Sequence, residues 1–354
     1  MKTGFVDLPL HGGSAPLWLF NRMKLLAREI SLAILINFGK EEFYNRLSDP
    51  LWFQSFGCVL GFDWHSSGLT TVTTGALKEG LKDESRRIGV FLAGGKGKSG
   101  LNTPFDIEAT YERGLITSAT NNRLKEASRL VAKVDSNAIQ SGYKIYHHFM
   151  IYDKESNWVV IQQGMKAETS YARRYHWNSF GLVSFVRDPH KGVIASTKES
   201  PLNLVDASID FTRVNIVNLA NEETKLIVKE IKTIKLPAHH PLYPCDFNVD
   251  YVEQVMRKVH EENPKDFERL LLVKGMGEKT LRALALLANI IYGSDLSFKD
   301  PATFSFAHGG KDGYPFPVDK TTYDKSIEVL KVAIDHAHIG DMEKFNALRR
   351  LKEK

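Results

Sequence analysis

Between Tyr143 and Gln163 the hydrophobic period falls to two residues, and no other stretch constrains the fold as tightly. YKIYHHFMIYD (Tyr143–Asp153) and WVVIQQ (Trp158–Gln163) read as two strands joined by the polar turn Lys154-Glu155-Ser156-Asn157. That pattern predicts a β-hairpin. Successive strand residues point to opposite faces, so His147 and Asp153 share one face while His148 and Tyr152 share the other.

Helical and extended signals surround the hairpin. Leu19, Met23, Leu26, Ile30 and Ile34 mark one face of a helix over Pro16–Ile36, and Leu124, Ala127, Leu130, Val131 and Val134 mark another over Thr120–Val134. FGCVLGFD (Phe56–Asp63) and RIGVFLA (Arg87–Ala93) read as short buried strands. Phe211–Ile234 reads as extended or mixed, and LPAHHPLYP (Leu236–Pro244) as a linker. Beyond it the pattern is mostly helical to Gly293, with a last helix from about Lys320 to His338. The expected architecture is an α/β domain over residues 1–235, with α+β as the alternative. An all-helical module over 236–354 follows it.

Composition narrows the function classes. Forty-seven Lys and Arg against 42 Asp and Glu leave a net charge of +5 over 354 residues, which permits a polyanionic partner without demanding one. No apolar run approaches the roughly 18–20 residues needed to span a bilayer, and the N-terminal residues lack signal-peptide features. Two cysteines, Cys58 and Cys245, give neither a disulfide framework nor a cysteine zinc site. A cytoplasmic protein that avoids membranes is expected. GGKGK (Gly94–Lys98) lacks P-loop spacing, so no nucleotide cofactor is expected; the run reads as a mobile basic loop near substrate.

One motif stands out near the C-terminal end. In LLLVKGMGEKTLRALALLANIIY (Leu270–Tyr292) a helix runs into Val273-Lys274-Gly275-Met276-Gly277, and a second helix opens at Glu278. This resembles the helix-hairpin-helix DNA-binding motif, over residues 267–292. Gly275 and Gly277 are expected at positive φ in a turn close to phosphate. Amides at the start of the second helix would meet a phosphate oxygen, with Lys274, Lys279, Thr280 and Arg282 around them. Such contacts grip the backbone without reading sequence. An alternative resemblance is to the helix-hairpin-helix DNA glycosylases and abasic-site lyases. Lys279 would then be the nucleophile, and Asp295 and Asp300 bracket the position of the partner aspartate.

Polar clusters in the first domain suggest chemistry. Asp63 and His65 lie at the expected end of the Phe56–Asp63 strand and point to one side. His147, His148 and Asp153 sit on the hairpin, where Gln162 and Gln163 close the second strand. Arg173, Arg174 and His176 follow within YARRYHW (Tyr171–Trp177). Carboxylates and imidazoles bind divalent metals or transfer protons, and paired arginines suit a phosphate and its developing charge. The expectation is a nuclease that hydrolyses phosphodiester bonds. Asp63, His65, His147, His148 and Asp153 serve metal binding or proton transfer in that reading, while Arg173, Arg174 and His176 meet the phosphate. Mg²⁺ or Mn²⁺ would suit the carboxylates, Zn²⁺ the histidines. A non-catalytic DNA-binding protein is the third reading.

The blocks HGGSAPLWLF, GFDWHSSGLTT, GYKIYHHF, QQGM, ARRYHW and DGYPFPVDKTTYD together resemble a family known as domain of unknown function 763 (DUF763). The resemblance spans nearly the whole chain. It implies that the helical hairpin is a built-in part of the protein and says little about mechanism.

Overall fold

The structure, a computed structural model, describes residues 15–63, 66–169, 171–233, 249–303, 328, 330–337 and 340–352. At its centre is a five-stranded sheet in the order β1-β3-β4-β5-β6. These strands are β1 (Val90–Lys96), β3 (Lys144–Asp153), β4 (Trp158–Lys166), β5 (Tyr171–Asn178) and β6 (Gly192–Ile194). Every pairing in it is antiparallel, so the fold mixes helix with an antiparallel sheet rather than a parallel, doubly wound one. The hairpin expected from the two-residue period is the β3–β4 pair. Two short strands, β2 (Ile139–Gln140) and β7 (Leu202–Asn203), pair separately.

Helices cover both faces. On the first lie α1 (Leu17–Ser48), α2 (Pro50–Val59) and α3 (Gly68–Leu81), whose apolar residues pack on Phe149, Ile151, Val159 and Ile161. Helix α4 (Ser85–Ile88) leads into β1; α5 (Lys98–Leu101) and α6 (Thr103–Glu112) follow it. The second face carries α7 (Ser118–Lys133), α8 (Asp210–Ala220), α9 (Thr224–Thr233), α10 (Val249–Glu262), α11 (Phe267–Leu272) and α12 (Glu278–Tyr292). They share one core with Met150, Tyr152, Val160 and Trp177. The chain then returns to the first face, where Leu330 and Ile334 of α13 (330–336) and Ala347 of α14 (Asp341–Lys352) join the core of α1 and α2. Helices on both sides of the expected linker therefore bury the second face. The linker, Leu236–Pro244, lies outside the described residues, as does Asp312–Asp324.

Three expectations are overturned. Phe56–Asp63 is not a strand: Pro50–Val59 is helix α2, and 60–63 are turn and coil. The start signal was present, because Asp49 caps the helix by accepting from the amides of Leu51 and Trp52, with Pro50 in the first turn. A short run that is apolar up to its last residue carries no periodicity to separate a buried helix from a buried strand. Phe211–Ile234, expected to be extended or mixed, holds helices α8 and α9 instead. The glycine run is not a loose loop. Strand β1 continues through Lys96, and the Gly97 amide donates to the Tyr146 carbonyl at 2.7 Å. Gly94, at φ +82°, lies so close to the His148 carbonyl that a side chain would collide with it.

Candidate functional site

Five of the polar residues noted in the sequence, His147, His148, Gln162, Gln163 and Arg174, fall in two adjacent rows across the sheet. His147 of β3 stands opposite Gln163 of β4, which stands opposite Arg174 of β5. One step along the strands, His148, Gln162 and Tyr175 form the neighbouring row. Because strand side chains alternate, the doublets His147-His148 and Gln162-Gln163 are split between the two faces.

The first-face row lies beneath α1, α2 and α3. Arg174 is fully buried and donates through Nε to His176 Nε2 (2.9 Å) and through Nη1 to Thr70 Oγ1 (3.2 Å). Its Nη2 donates to Gln54 Oε1 (2.8 Å) and the Pro50 carbonyl (3.5 Å). The Thr70 hydroxyl donates to Gln163 Oε1, and Gln163 Nε2 donates to the Tyr146 hydroxyl (2.5 Å) and the Ser67 carbonyl (3.0 Å). Among the described residues no carboxylate pairs with Arg174.

The hydrogen bonds fix the histidine tautomers. His176 accepts from Arg174 at Nε2, so its Nδ1 donates to the Leu47 carbonyl (3.2 Å) and the ring is neutral. The Thr74 hydroxyl is spent on the Thr70 carbonyl (2.8 Å), so His147 donates from Nε2 to Thr74 Oγ1 (3.1 Å). That leaves His147 Nδ1 a buried acceptor without a partner. Burial first, then the neighbouring His148 and Lys96, pushes His147 down to about 3, and burial followed by Arg174 holds His176 well below the usual histidine range.

On the second face a carboxylate that the sequence reading passed over organises the row. Asp135 lies in a π-turn, Val134–Ala138, at the end of α7. It accepts from Gln162 Nε2, from Trp177 Nε1 (2.9 Å) and from His190 Nε2 (2.6 Å). Gln162 in turn accepts His148 Nδ1–H (2.6 Å), and His148 Nε2 accepts the Ser128 hydroxyl (2.9 Å). Asp135 was hidden because it follows an amphipathic helix with no motif around it. His190, in the connection between β5 and β6, carried no local signal either.

Arg173 also faces this side. Its Nη2 pairs with Asp300 Oδ2 at 2.8 Å, both side chains almost wholly buried, and its guanidinium stacks 4.7 Å from the Tyr143 ring centre. Asp300 further accepts the amides of Glu199 (2.7 Å) and Ala302 (2.9 Å). Asp300, one of the two aspartates expected to bracket the partner of Lys279, is thus engaged with Arg173 of the sheet.

Two of the expected groupings are not brought together. His147 and Asp153 share a face but lie at opposite ends of β3, about 20 Å apart at strand spacing. Asp153 instead builds the hairpin turn, accepting the amides of Glu155 (3.0 Å) and Asn157 (2.9 Å). Asp63 stands in exposed coil rather than at a strand end, and His65 lies outside the described residues. Among the described residues no group of three or more His, Cys, Asp or Glu side chains is placed to hold a metal. No helix among them is long and apolar enough to cross a membrane.

The helical hairpin rests at the same end of the sheet, on the second face. The tip carbonyls are held by the rest of the chain. Met276 O accepts from Lys133 Nζ (2.7 Å) and Asn137 Nδ2 (3.2 Å), Gly275 O from the Tyr251 hydroxyl (2.9 Å), and Glu278 O from Gln140 Nε2 (2.9 Å). Gly275 has φ +98°, as a left-handed turn position requires; Gly277 does not, sitting extended at φ −126° as the N-cap of α12. Lys274 and Lys279 are exposed beside the tip. Thr280 is buried, and Arg282 is occupied by Gln140 (2.6 Å) and Glu278 (2.9 Å). The tip is thus tied to the body of the protein, and in the first turn of α12 Lys279 is exposed while Thr280 and Leu281 are buried.

The chain belongs to the family described as "Protein of unknown function (DUF763)", whose match covers residues 4–318 and so takes in both rows and the hairpin. No curated protein and no solved structure matches it.

Proposed function

We propose that this DUF763 protein binds DNA along the phosphate backbone through the α11–α12 hairpin, as a helix-hairpin-helix element, and hydrolyses phosphodiester bonds. The observation that carries the reading is the locked tip. With three of its carbonyls bonded to the chain, the turn presents helix-start amides together with Lys274 and Lys279. An anion is favoured there by the amides and by the helix dipole. Arg282 and Thr280 shape the turn, one through Gln140 and Glu278, the other from the core.

The hydrolytic part rests on the polar rows at the same end of the sheet. Arg174 is a cation suited to a phosphate, while His147, pushed down to about 3 by burial, stays neutral and offers Nδ1 only as a hydrogen-bond acceptor. Asp135 orients His190 as a carboxylate orients a catalytic imidazole. A purely DNA-binding role is the second reading. It is favoured by the burial of His147, His148, Arg173, Arg174 and His176, each at most 6% exposed.

Incubation of the purified chain with single- and double-stranded DNA, with and without EDTA, separates these readings. Cleavage supports the nuclease, and its loss in EDTA assigns a divalent metal. Binding without cleavage leaves the non-catalytic reading, and neither binding nor cleavage removes both. Borohydride trapping on abasic DNA would reveal a lyase acting through Lys279.

A further inference from the structure

Helix α7 carries Glu126, Arg129 and Lys133 at spacings of three and four residues, which put them on one face. Both ends of this stripe touch the hairpin. Glu126 pairs with Arg269 of α11 at 3.0 Å, and Lys133 donates to the Met276 carbonyl at 2.7 Å. Arg129 stands between the two anchors and so flanks the seam where α7 meets the hairpin. It is exposed and forms no ion pair among the described residues. The charge along the seam is one-sided, because its carboxylates are engaged: Glu126 with Arg269, Glu278 with Arg282, and Asp266 with the Arg269 amide. The Met276 oxygen, whose partial charge would repel an anion at the tip, is covered by the Lys133 ammonium and the Asn137 amide. Lys274 and Lys279 lie exposed beside it.

We propose that duplex DNA bound at the hairpin extends over the end of α7, where the Arg129 guanidinium meets a second phosphate next to the one held at the start of α12. The inference rests on the reading of the hairpin as a DNA-binding element and adds a separate helix to its footprint. The partner follows from the donors. Arg129 is a solvent-facing fork of N–H groups, always protonated, and such a group pairs with a phosphate through two hydrogen bonds. It lies one helical turn, about 5.4 Å of rise, before Lys133, whose ammonium reaches the residue just ahead of the α12 N-cap. Burial lowers Lys133 and its hydrogen bond is spent on the tip, so Lys133 positions the hairpin while Arg129 makes the contact. A contact of this kind adds affinity without reading sequence.

The test is the anisotropy of a labelled DNA duplex titrated with the full chain over a series of salt concentrations. Arg129→Gln should bind about three- to tenfold more weakly, with a log–log salt slope shallower by about 0.9, the loss of one phosphate contact. Arg129→Lys keeps the charge and should keep the slope. Arg86→Gln is the control for net charge. Arg86 is exposed on α4, which leads into β1 where Val90 pairs with Asp153, at the far end of the sheet from His147. Its loss should leave affinity and slope unchanged. These arginines face solvent, so the variants should fold, with urea midpoints like that of the wild type. Wild-type affinity and slope in Arg129→Gln, while Lys274→Glu/Lys279→Glu binds weakly, would overturn the α7 contact and leave the hairpin reading standing. An equal flattening in Arg86→Gln would overturn it as well, since overall charge rather than contact would then explain the effect. A wild type that does not bind duplex DNA would remove the hairpin reading and this contact with it.

Discussion

The ammonium of Lys133 donates to the carbonyl of Met276 at 2.7 Å, tying the last turn of α7 to the tip of the α11–α12 hairpin. Asn137 reaches the same oxygen from the π-turn, and between them Asp135 turns inward to the sheet. One short segment therefore holds the hairpin on one side and the polar row on the other. π-turns of this kind are often retained at functional sites.

Replacing Lys133 with Met keeps the stem of the side chain and removes its donor. The expected loss is about 1–2 kcal/mol, the scale of one charged hydrogen bond that is partly solvated, and it should be local. Amide exchange measured across residues 273–282 should quicken while the β3–β4 hairpin stays protected. Unchanged exchange at the tip would mean that the bond does not restrain it.

Asp135 accepts from three buried donors, so Asp135→Ala leaves Trp177 Nε1 and His190 Nε2 unpaired and Gln162 Nε2 with only the Val131 carbonyl. A destabilisation of about 2–4 kcal/mol is expected, measured as a lower urea midpoint at unchanged slope. Asp135→Asn retains an acceptor oxygen and should lose less. Equal losses in the two variants would show that the volume, rather than the hydrogen bonds, matters.

Three buried histidines set the response to acid. In the folded protein His147 is pushed down to about 3, and His148 and His176 are lowered, in each case chiefly by burial. Unfolded, each binds a proton near pH 6.5. A lowered folded value means that the unfolded state gains the protons first, so stability is complete above about pH 6.5 and falls below it. The slope should approach about 1.4 kcal/mol per pH unit for each histidine that stays neutral in the fold. Urea midpoints at pH 7 and pH 5 test this; equal midpoints would contradict the neutral assignments.

The two-residue period of 143–163 predicted the β3–β4 hairpin, and the apolar stripe of 120–134 predicted α7, because periodicity reports a face buried by neighbours. It failed at 56–63, where no polar residue precedes Asp63 and no face can be told from another. It failed again at 211–234, where Ile216 and Val217 favour strands in isolation but pack as part of helix α8. Within the site, Arg173, Arg174 and His176 stood out by composition. Nothing local distinguished Arg173, paired with Asp300 from 127 residues away, from Arg174, which has no such partner among the described residues. Asp135 and His190 meet only through tertiary contact across 55 residues, so no short motif announces them.

DNA affinity measured against salt tests the central claim most directly. Fluorescence anisotropy of a labelled duplex is followed from low to moderate salt with wild type and with Lys274→Glu/Lys279→Glu. Binding by the wild type should weaken steeply with salt and show little sequence preference. If both lysines meet phosphates, the double variant should bind more weakly, its log–log salt slope shallower by about 1.8. A folded double variant with wild-type affinity and slope, or a wild type that does not bind DNA at all, would contradict the account.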